Sequence, residues 1–592
     1  MPKLKISRIF ASLFPRELWN RRFGVALAGS FLTVLAFDLI WSMATSFRGL
    51  GFFRTYLYGF LLAMLMALPA MLRRRWVFGA VLVAADLLAL ANLMYVRTYF
   101  MPIPPSSYLL AGNVAEFGDA IRHSLRWADL VFPAITVLTL MFMGRRTKPF
   151  QRSAFRAYGL AFCIGVILCP VTGLLAKPYS SNPLKHIELL KGECYYRATP
   201  AVVYTLPLSI LADALESSRP ISEAELADAR GYLAEHRAAT DALAPDSIAV
   251  PRRNLVLIIV ESLEAWPLGA RVEGKEITPE LNRLVADSAA RAWVAPAVLS
   301  QVGSGRSIDG QLLTTVGLRP MMDKVYSMWY SDRTYPHLAK EMRHDRGSKA
   351  YFLSGDRATT WNQGAVVRQF GFDETRFRDA WDGSESFGHP RNPSDGSFLR
   401  QVVEKMQGGE VWPEGETAFV EVVTYSSHFP FHIPEEHRRI HLEGTYPGKL
   451  GDYITAINYT DAALGEFIRY IRSRSDADET MIAIVGDHEA LAASRGEIRA
   501  ASPEIAALVD SVGHVPLIVL NSPITGRCER EIGQVDVYPT LLYLAGLYRD
   551  ADSRGLGYPA FADIDLDAAA DARQQSVSST IIRADLLRRD LQ

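Results

Sequence analysis

The chain has 592 residues, 49% of them hydrophobic, with 63 basic against 64 acidic side chains. That length exceeds one ordinary domain, and a near-neutral balance argues against a nucleic-acid partner, which would leave a basic footprint. Four cysteines, at 163, 169, 194 and 528, lack the CxxC spacing of a zinc or redox site. Cys194 and Cys528 offer one pair for an oxidising compartment.

The apolar excess lies before about residue 177, where five spans read at 23–44, 53–72, 77–96, 128–144 and 157–175. Each is near the ~20 residues that cross a bilayer core. Orientation follows from the basic residues. Lys3, Lys5, Arg8, Arg16, Arg21 and Arg22 precede the first span, Arg73–Arg75 join the second to the third, and Arg145, Arg146, Lys148, Arg152 and Arg156 join the fourth to the fifth. Residues 1–176 are therefore expected to form a multi-pass, five-helix domain of the cytoplasmic membrane. Its N-terminus faces the cytoplasm and everything after it lies outside. Asp38 and Asp86 fall within spans, where a carboxyl is costly and either bonds a neighbouring helix or shapes a lipid-facing groove. The proline-rich stretch 101–107 is expected to be irregular.

Residues 177–250 turn polar and read as a stem. Ser222-Glu-Ala-Glu225 matches a capping box and predicts a helix over 223–237. From 251 to 550, apolar strands alternate with helical patterns, the mark of an α/β domain with a mainly parallel central sheet. The run Leu255–Val260 predicts a strand buried on both faces and stops on Glu261-Ser262. Thr278-Pro279 starts a helix that is expected to reach about Arg291. Segment 301–310 offers Ser307 on a glycine-flanked turn. Further strands are expected at 350–353 (leading into Gly355-Asp356), 419–423 (leading into Ser426-Ser427-His428), 480–485 (leading into Gly486-Asp487-His488-Glu489) and 515–520. Helices are expected over 335–343 and 453–472, and from about Asp536. The extension 551–592 is rich in Asp, Ala and Arg and carries no legible site.

Taken singly, these polar residues have plain readings: Glu261 as a solvated carboxylate, Ser307 as a turn serine, Asp487-His488 as a helix cap beside a surface histidine. Together they all follow buried strands, where open α/β sheets place their ligands. Two acids, an imidazole and a hydroxyl arriving there suggest a metal site that activates an oxygen nucleophile.

The ordered set Val260-Glu-Ser-Leu263, Gln301–Ser307, Gly355-Asp356 with Trp361-Asn362, Ser427-His-Phe-Pro430, Gly486-Asp-His488 and His514-Val-Pro516 resembles the lipoteichoic acid synthase family. That family includes phosphoglycerol transferases and belongs to the alkaline phosphatase and sulfatase superfamily. A five-span anchor with an external catalytic domain fits it as well. The resemblance implies one divalent metal, commonly Mn2+ with Mg2+ or Zn2+ as alternatives, held by Glu261, Ser307, Asp487 and His488. It implies Ser307 as nucleophile and His428 as a second catalytic group. Headgroup contacts fall on Arg306, Asp356, Trp361, Gln363 and His428. The implied donor is phosphatidylglycerol and the implied acceptor a glycan, glycolipid or polymer hydroxyl.

Three positions depart from the family pattern. Ser307 replaces threonine with the same hydroxyl, Gln363 stands where arginine often follows Trp-Asn, and Ser354 where histidine often precedes Gly-Asp. Losing an arginine weakens bidentate phosphate binding, so phosphatidylethanolamine stays open as donor. A formylglycine sulfatase is disfavoured because Ser307-Ile-Asp-Gly-Gln311 lacks the Pro and Arg of its modification motif. A hydrolase passing the group to water and a non-catalytic binding protein are the remaining alternatives.

Overall fold

The computed structural model describes residues 21–44, 50, 53–71, 75–99, 103, 124–143, 155, 158–166, 220–243 and 252–588, apart from 323, 359, 388–391, 493, 563, 565 and 566. These residues fall into two compact units that meet in the chain near Pro220, and each is taken by itself.

The N-terminal unit packs α1 (Arg21–Ala44), α2 (Phe53–Ala67), α3 (Arg75–Tyr99) and α4 (Val131–Phe142) around Trp41, Phe37, Phe78 and Phe132. Two stretches, Arg22–Met43 and Arg75–Tyr95, are long and apolar enough to cross a membrane. The expected five spans are thus corrected to two among the described residues. Thr55–Met71 and Trp127–Phe142 are shorter apolar helices. The first tightens into a 3-10 turn, Leu68–Met71, at Pro69, which has no N–H to continue the helix. The second opens on a 3-10 turn and keeps only 12 α-helical residues, about 18 Å of rise. Of the fifth span, residues 158–166 are helical and the rest lies outside the described residues, as do most of 101–107 and Cys194. Asp86 bonds a neighbouring helix, accepting from Thr136 Oγ1 at 2.7 Å. The bidentate pair Arg97–Asp129 ties the end of α3 to the turn before α4.

The main sheet of the second unit has nine strands: β1 (Asn254–Val260), β2 (Trp293–Leu299), β3 (Lys349–Ser354), β4 (Glu374–Arg376), β5 (Ala418–Val423), β6 (Thr480–Gly486), β7 (His514–Leu520), β8 (Gly526–Arg527) and β9 (Ile532–Gly533). They run in the order β8-β2-β7-β6-β1-β5-β3-β4, with β9 also on β2. Within this sheet every pairing is parallel except the two made by β7. β1 alternates its side chains between two cores, Val256, Ile258 and Val260 on one face and Leu255, Leu257 and Ile259 on the other. Both faces are buried, which is why the strand reads as an unbroken apolar run. Each such side chain contributes about 1.5–3 kcal/mol of transfer free energy.

The flanking helices are α5 (Glu223–Asp241), α6 (Pro279–Ala286), α7 (Ser307–Val316), α8 (Leu338–Arg346), α9 (Gln363–Phe370), α10 (Asp395–Gln407), α11 (Leu450–Ser473), α12 (Val537–Ala545) and α13 (Ala568–Ala584). α5 has the expected capping box, with Ser222 Oγ accepting from Glu225 N and Glu225 accepting from Ser222 N. α6 stops at Ala286, short of Arg291, because Asp287 caps a separate 3-10 turn. The C-terminal extension has a structural part: on α13, Arg573 bridges Asp228 and Glu235 of α5.

Candidate active site

β6, β1, β5 and β3 are adjacent and parallel, and the register pairs Val260 with Gly486, Ile259 with Val423, and Ser354 with Val423. The residues just beyond those positions, Asp487, Glu261, Thr424 and Gly355, therefore emerge side by side at one sheet edge, about 5 Å apart from strand to strand. Ser307 reaches the same edge from a different element. It is the first residue of α7, after Arg306 at φ 46°. Helix α7 is pressed onto β6 at Gly310, where a β-carbon would lie 2.3 Å from the Asp487 carbonyl oxygen.

Glu261, Asp487 and His488 are all buried, and their ligating atoms lie within 4.8 Å of one another. Ser307 Oγ donates to Glu261 Oε2 at 3.0 Å and stands 3.2 Å from His488 Nε2. Asp487 Oδ1 accepts the backbone N–H of Ser262 and of His488, both at 2.7 Å. Asp487 Oδ2 is buried with no hydrogen-bond partner among the described residues. The Glu489 carbonyl lies 2.9 Å from His488 Nδ1 and can only accept, so Nδ1 carries the proton and Nε2 presents its lone pair to Ser307.

Burial, reinforced by the Glu261 charge, pushes the Asp487 carboxyl well above its ordinary range. Burial works in the same direction on Glu261, but His428 and the hydroxyl donated by Ser262 help hold that carboxyl low. Burial, with Arg306 adding to it, lowers His488 to about 4, which leaves the imidazole neutral. A neutral imidazole, an ionised carboxylate and an orphaned carboxyl oxygen form a donor set suited to a divalent cation. The residues present therefore fit the metal that the family resemblance implies.

Arg306 does not project freely. It pairs with Glu489 Oε1 at 2.7 Å and donates to the Glu489 carbonyl at 2.6 Å. Although burial opposes ionisation of Glu489, Arg306 holds its carboxyl down at about 2. His428 follows β5, stacked on Tyr425 with ring centroids 5.2 Å apart. Its Nδ1 lies 2.7 Å from the Phe429 carbonyl, so Nε2 is the atom left for chemistry. Asp356 follows β3 and accepts from Arg357 N and Asn392 Nδ2; burial raises its carboxyl against those bonds. Trp361 and Asn362 both have left-handed backbones (φ 51° and 54°) and are fastened to Ser327 through the Trp361 carbonyl and Asn362 Nδ2. Gln363 donates to Gln311 Oε1 at 3.1 Å. The structure thus brings Glu261, Ser307, Asp487, His488 and Arg306 into one cluster. It sets His428, Asp356, Trp361 and Gln363 on the side of the sheet edge toward β5 and β3.

Several supporting residues were not among the expected site residues. Ser262 Oγ donates to Glu261 Oε1, Ser427 Oγ to the Glu261 carbonyl, and Gln534 Nε2 to the Asp487 carbonyl. Glu264 accepts from Ala490 N, Leu491 N and Arg495, which fixes the segment after His488. Glu489 had a signal in its adjacency to His488. Ser262 is likewise adjacent to Glu261, whereas Ser427, Gln534 and Glu264 meet partners distant in sequence.

Residues 253–547 match the sulfatase family. Lipoteichoic acid synthase of Staphylococcus aureus (strain USA300) is 24% identical over 472 residues, covering 77% of this chain and 70% of that protein. Among solved structures, the integral membrane protein lipooligosaccharide phosphoethanolamine transferase A of Neisseria meningitidis aligns with a TM-score of 0.55 at 14% identity. That alignment covers 90% of this chain and 97% of the other. Lipoteichoic acid synthase LtaP of Listeria monocytogenes aligns with a TM-score of 0.46 at 18% identity, over 58% of this chain and 93% of that one.

Proposed function

We propose that this chain, whose residues 253–547 match the sulfatase family, is a membrane-anchored phosphoglycerol transferase acting outside the cytoplasm. Phosphatidylglycerol is the donor, diacylglycerol the released product, and a glycan, glycolipid or polymer hydroxyl the acceptor. The domain plan behind this reading is a membrane anchor over 1–176, a stem over 177–250, a catalytic domain over 251–550 and an extension over 551–592.

The observation that carries the reading is the placement of Ser307 Oγ, 3.0 Å from Glu261 Oε2 and 3.2 Å from His488 Nε2. A serine hydroxyl is a weak nucleophile until a neighbour takes its proton or a cation stabilises its alkoxide. Glu261, Asp487 and His488 would hold a divalent ion, most readily Mn2+, which when bound neutralises phosphoryl oxygens and acidifies a nearby hydroxyl. Ser307 gives up its proton to the carboxylate group around it and its Oγ forms a bond to phosphorus. The bond from phosphorus to the diacylglycerol oxygen breaks, and protonated His428 Nε2 delivers a proton to that oxygen. In the second half-reaction neutral His428 Nε2 takes the proton of the acceptor hydroxyl, whose oxygen displaces Ser307. Arg306 offsets phosphate charge from within its pair with Glu489, and Trp361 packs against the glycerol moiety.

The test is lipid cleavage by the full chain in vesicles with labelled phosphatidylglycerol and Mn2+, with and without chelator, beside Ser307→Ala. Diacylglycerol release that requires both metal and Ser307 supports the reading; full release by Ser307→Ala rules it out. Gln363 favours one competing reading, phosphatidylethanolamine as donor, and the same assay run on that lipid decides between them. Free glycerol phosphate without an acceptor product would mark a hydrolase.

A further inference from the structure

Glu421 is a carboxyl in the middle of a buried strand. It lies on β5 between Leu257 of β1 and Phe352 of β3 and has no exposure. A charge there costs several kcal/mol unless hydrogen bonds meet it. Two groups do so. Gln311 Nε2 donates at 2.5 Å, and His337 Nε2 lies 3.3 Å from the second oxygen. The His337 ring is itself oriented: its Nδ1 accepts from Ala339 N at 3.0 Å, so its proton sits on Nε2, toward Glu421. Glu421 thus accepts from Gln311, with the His337 N–H on the side of its other oxygen.

That fixes a polarity which runs outward. Gln311 turns its nitrogen to Glu421, so its oxygen points the other way. Gln363 meets that oxygen with its own nitrogen at 3.1 Å. The Gln363 amide therefore presents its carbonyl oxygen outward. Gln311 follows Ser307 by four residues on α7, so the two share one helix face a single turn apart. The approach of Gln363 is held independently by the two left-handed residues before it, both fastened to Ser327.

We propose that Glu421, acting through Gln311, holds the Gln363 amide with its oxygen toward the donor headgroup beside Ser307. There it accepts a hydrogen bond from a headgroup hydroxyl or ammonium. Position 363 thus reads hydrogen-bond donors on the alcohol being transferred with the phosphate, a task different from clamping the phosphate itself. Lipid phosphodiesters whose headgroup has no donor are bound more weakly. Glu421 and Gln311 are positioning residues, and Gln363 is the one that touches substrate. The inference rests on the lipid-donor reading above.

Binding separates it from turnover. The full chain carrying Ser307→Ala is titrated in detergent with dihexanoyl phosphatidylglycerol, phosphatidylethanolamine and phosphatidylmethanol, and affinities are read by calorimetry. One neutral hydrogen bond predicts that phosphatidylmethanol binds about 5- to 10-fold more weakly than the better of the other two; which of those is better distinguishes a hydroxyl from an ammonium. Adding Gln363→Met, a half-buried and fold-tolerant change, should bring all three affinities together. Adding Glu421→Gln, which removes the fixed polarity without touching ligand, should narrow the gap. Equal weakening of all three lipids by Gln363→Met, or an unchanged ratio in both variants, overturns the proposal. If the headgroup discrimination depends on Gln363 but the Ser307 protein cleaves no lipid, the transferase reading fails and this one stands. If no lipid binds, the lipid-donor reading fails and this proposal falls with it.

Discussion

Gly310→Ala should silence the site while leaving the fold in place. A β-carbon at 310 would lie 2.3 Å from the Asp487 carbonyl oxygen and 2.9 Å from its carbon, against an ordinary contact that begins at 3.4 Å. The atoms met are backbone at the end of β6, so no side chain can swing away. Relief needs α7 to retreat from β6 by about 1 Å, the difference between 3.4 and 2.3 Å. A retreat of that size takes Ser307 Oγ from its 3.0 and 3.2 Å contacts with Glu261 and His488 out of hydrogen-bond range. Misplacement on this scale costs about 100-fold in rate. Overpacking costs about 1–3 kcal/mol, partly offset by about 1 kcal/mol from replacing glycine with alanine in a helix. The protein should therefore stay folded with a lowered midpoint. The assay is diacylglycerol release beside thermal unfolding. Gly496→Ala, where an added β-carbon meets nothing within 4 Å, serves as the control and should behave as the parent. A Gly310→Ala protein that turns over at the parental rate would refute the claim that the contact of α7 with Asp487 sets the nucleophile.

Divalent-metal binding should release protons, and more of them as pH falls, because the raised Asp487 carboxyl more often has a proton to give up on binding at lower pH. Calorimetry in buffers of different ionisation enthalpy measures this, and release of no proton counts against the site as drawn. Asp395→Ala should lower kcat without weakening metal affinity. Its buried carboxylate accepts from Tyr425 N, Ser426 N and Thr460 Oγ1 and so shapes the turn leading to His428. The stability cost is about 1–3 kcal/mol per stranded donor, and equal losses of metal binding and rate would contradict this division. His236 on α5 is stacked on Tyr558, and burial, aided by Arg554, lowers it from 6.5 to about 4. The unfolded chain then takes the proton more readily, so stability is complete above 6.5 and falls as pH drops toward 4, by up to about 3 kcal/mol. Hydrogen exchange along α5 should show this loss, and His236→Phe should remove it.

The sequence made legible the strands whose two faces are both buried. Leu255–Val260, 350–353, 419–423, 480–485 and 515–520 all lie within observed strands, because burial on both sides leaves no room for polar residues. β2 was not legible. Pro296 interrupts Trp293–Leu299, and the ladder with β7 shifts register between Ala295 and Val298, which is how a sheet accommodates a proline. β4, β8 and β9 are too short to show a period. In the site, Glu261, Ser307, Asp487 and His488 announced themselves by following apolar runs or glycines. Ser427, Gln534 and Glu264 act on partners more than 40 residues away, and no local pattern encodes that. The N-terminal half erred in the opposite direction. Hydropathy counts apolar residues and does not register that Pro69 and the turn at Trp127 shorten the helices they adjoin.

The division of labour along the sheet edge follows from strand order. β6 and β1 deliver Asp487, His488 and Glu261, and α7 lays Ser307 across them. β5 and β3, the next strands over, deliver His428 and Asp356, with Trp361 and Gln363 beyond. With strands about 5 Å apart, a phosphate bound at Ser307 would project its substituents one or two strand spacings along the edge, from the candidate metal ligands toward the hydrogen-bonding groups. Because side chains alternate along a strand, a one-residue slip of β1 against β6 would send Glu261 to the opposite face and break the donor set. The seven-residue ladder from Asn254–Thr480 to Val260–Gly486 therefore specifies the site as much as it specifies the fold. Glu421 is consistent with this. The one buried carboxyl that β5 tolerates lies beneath the boundary between the two groups, and the bonds it makes lead through Gln311 to Gln363, on the side where a headgroup would be read.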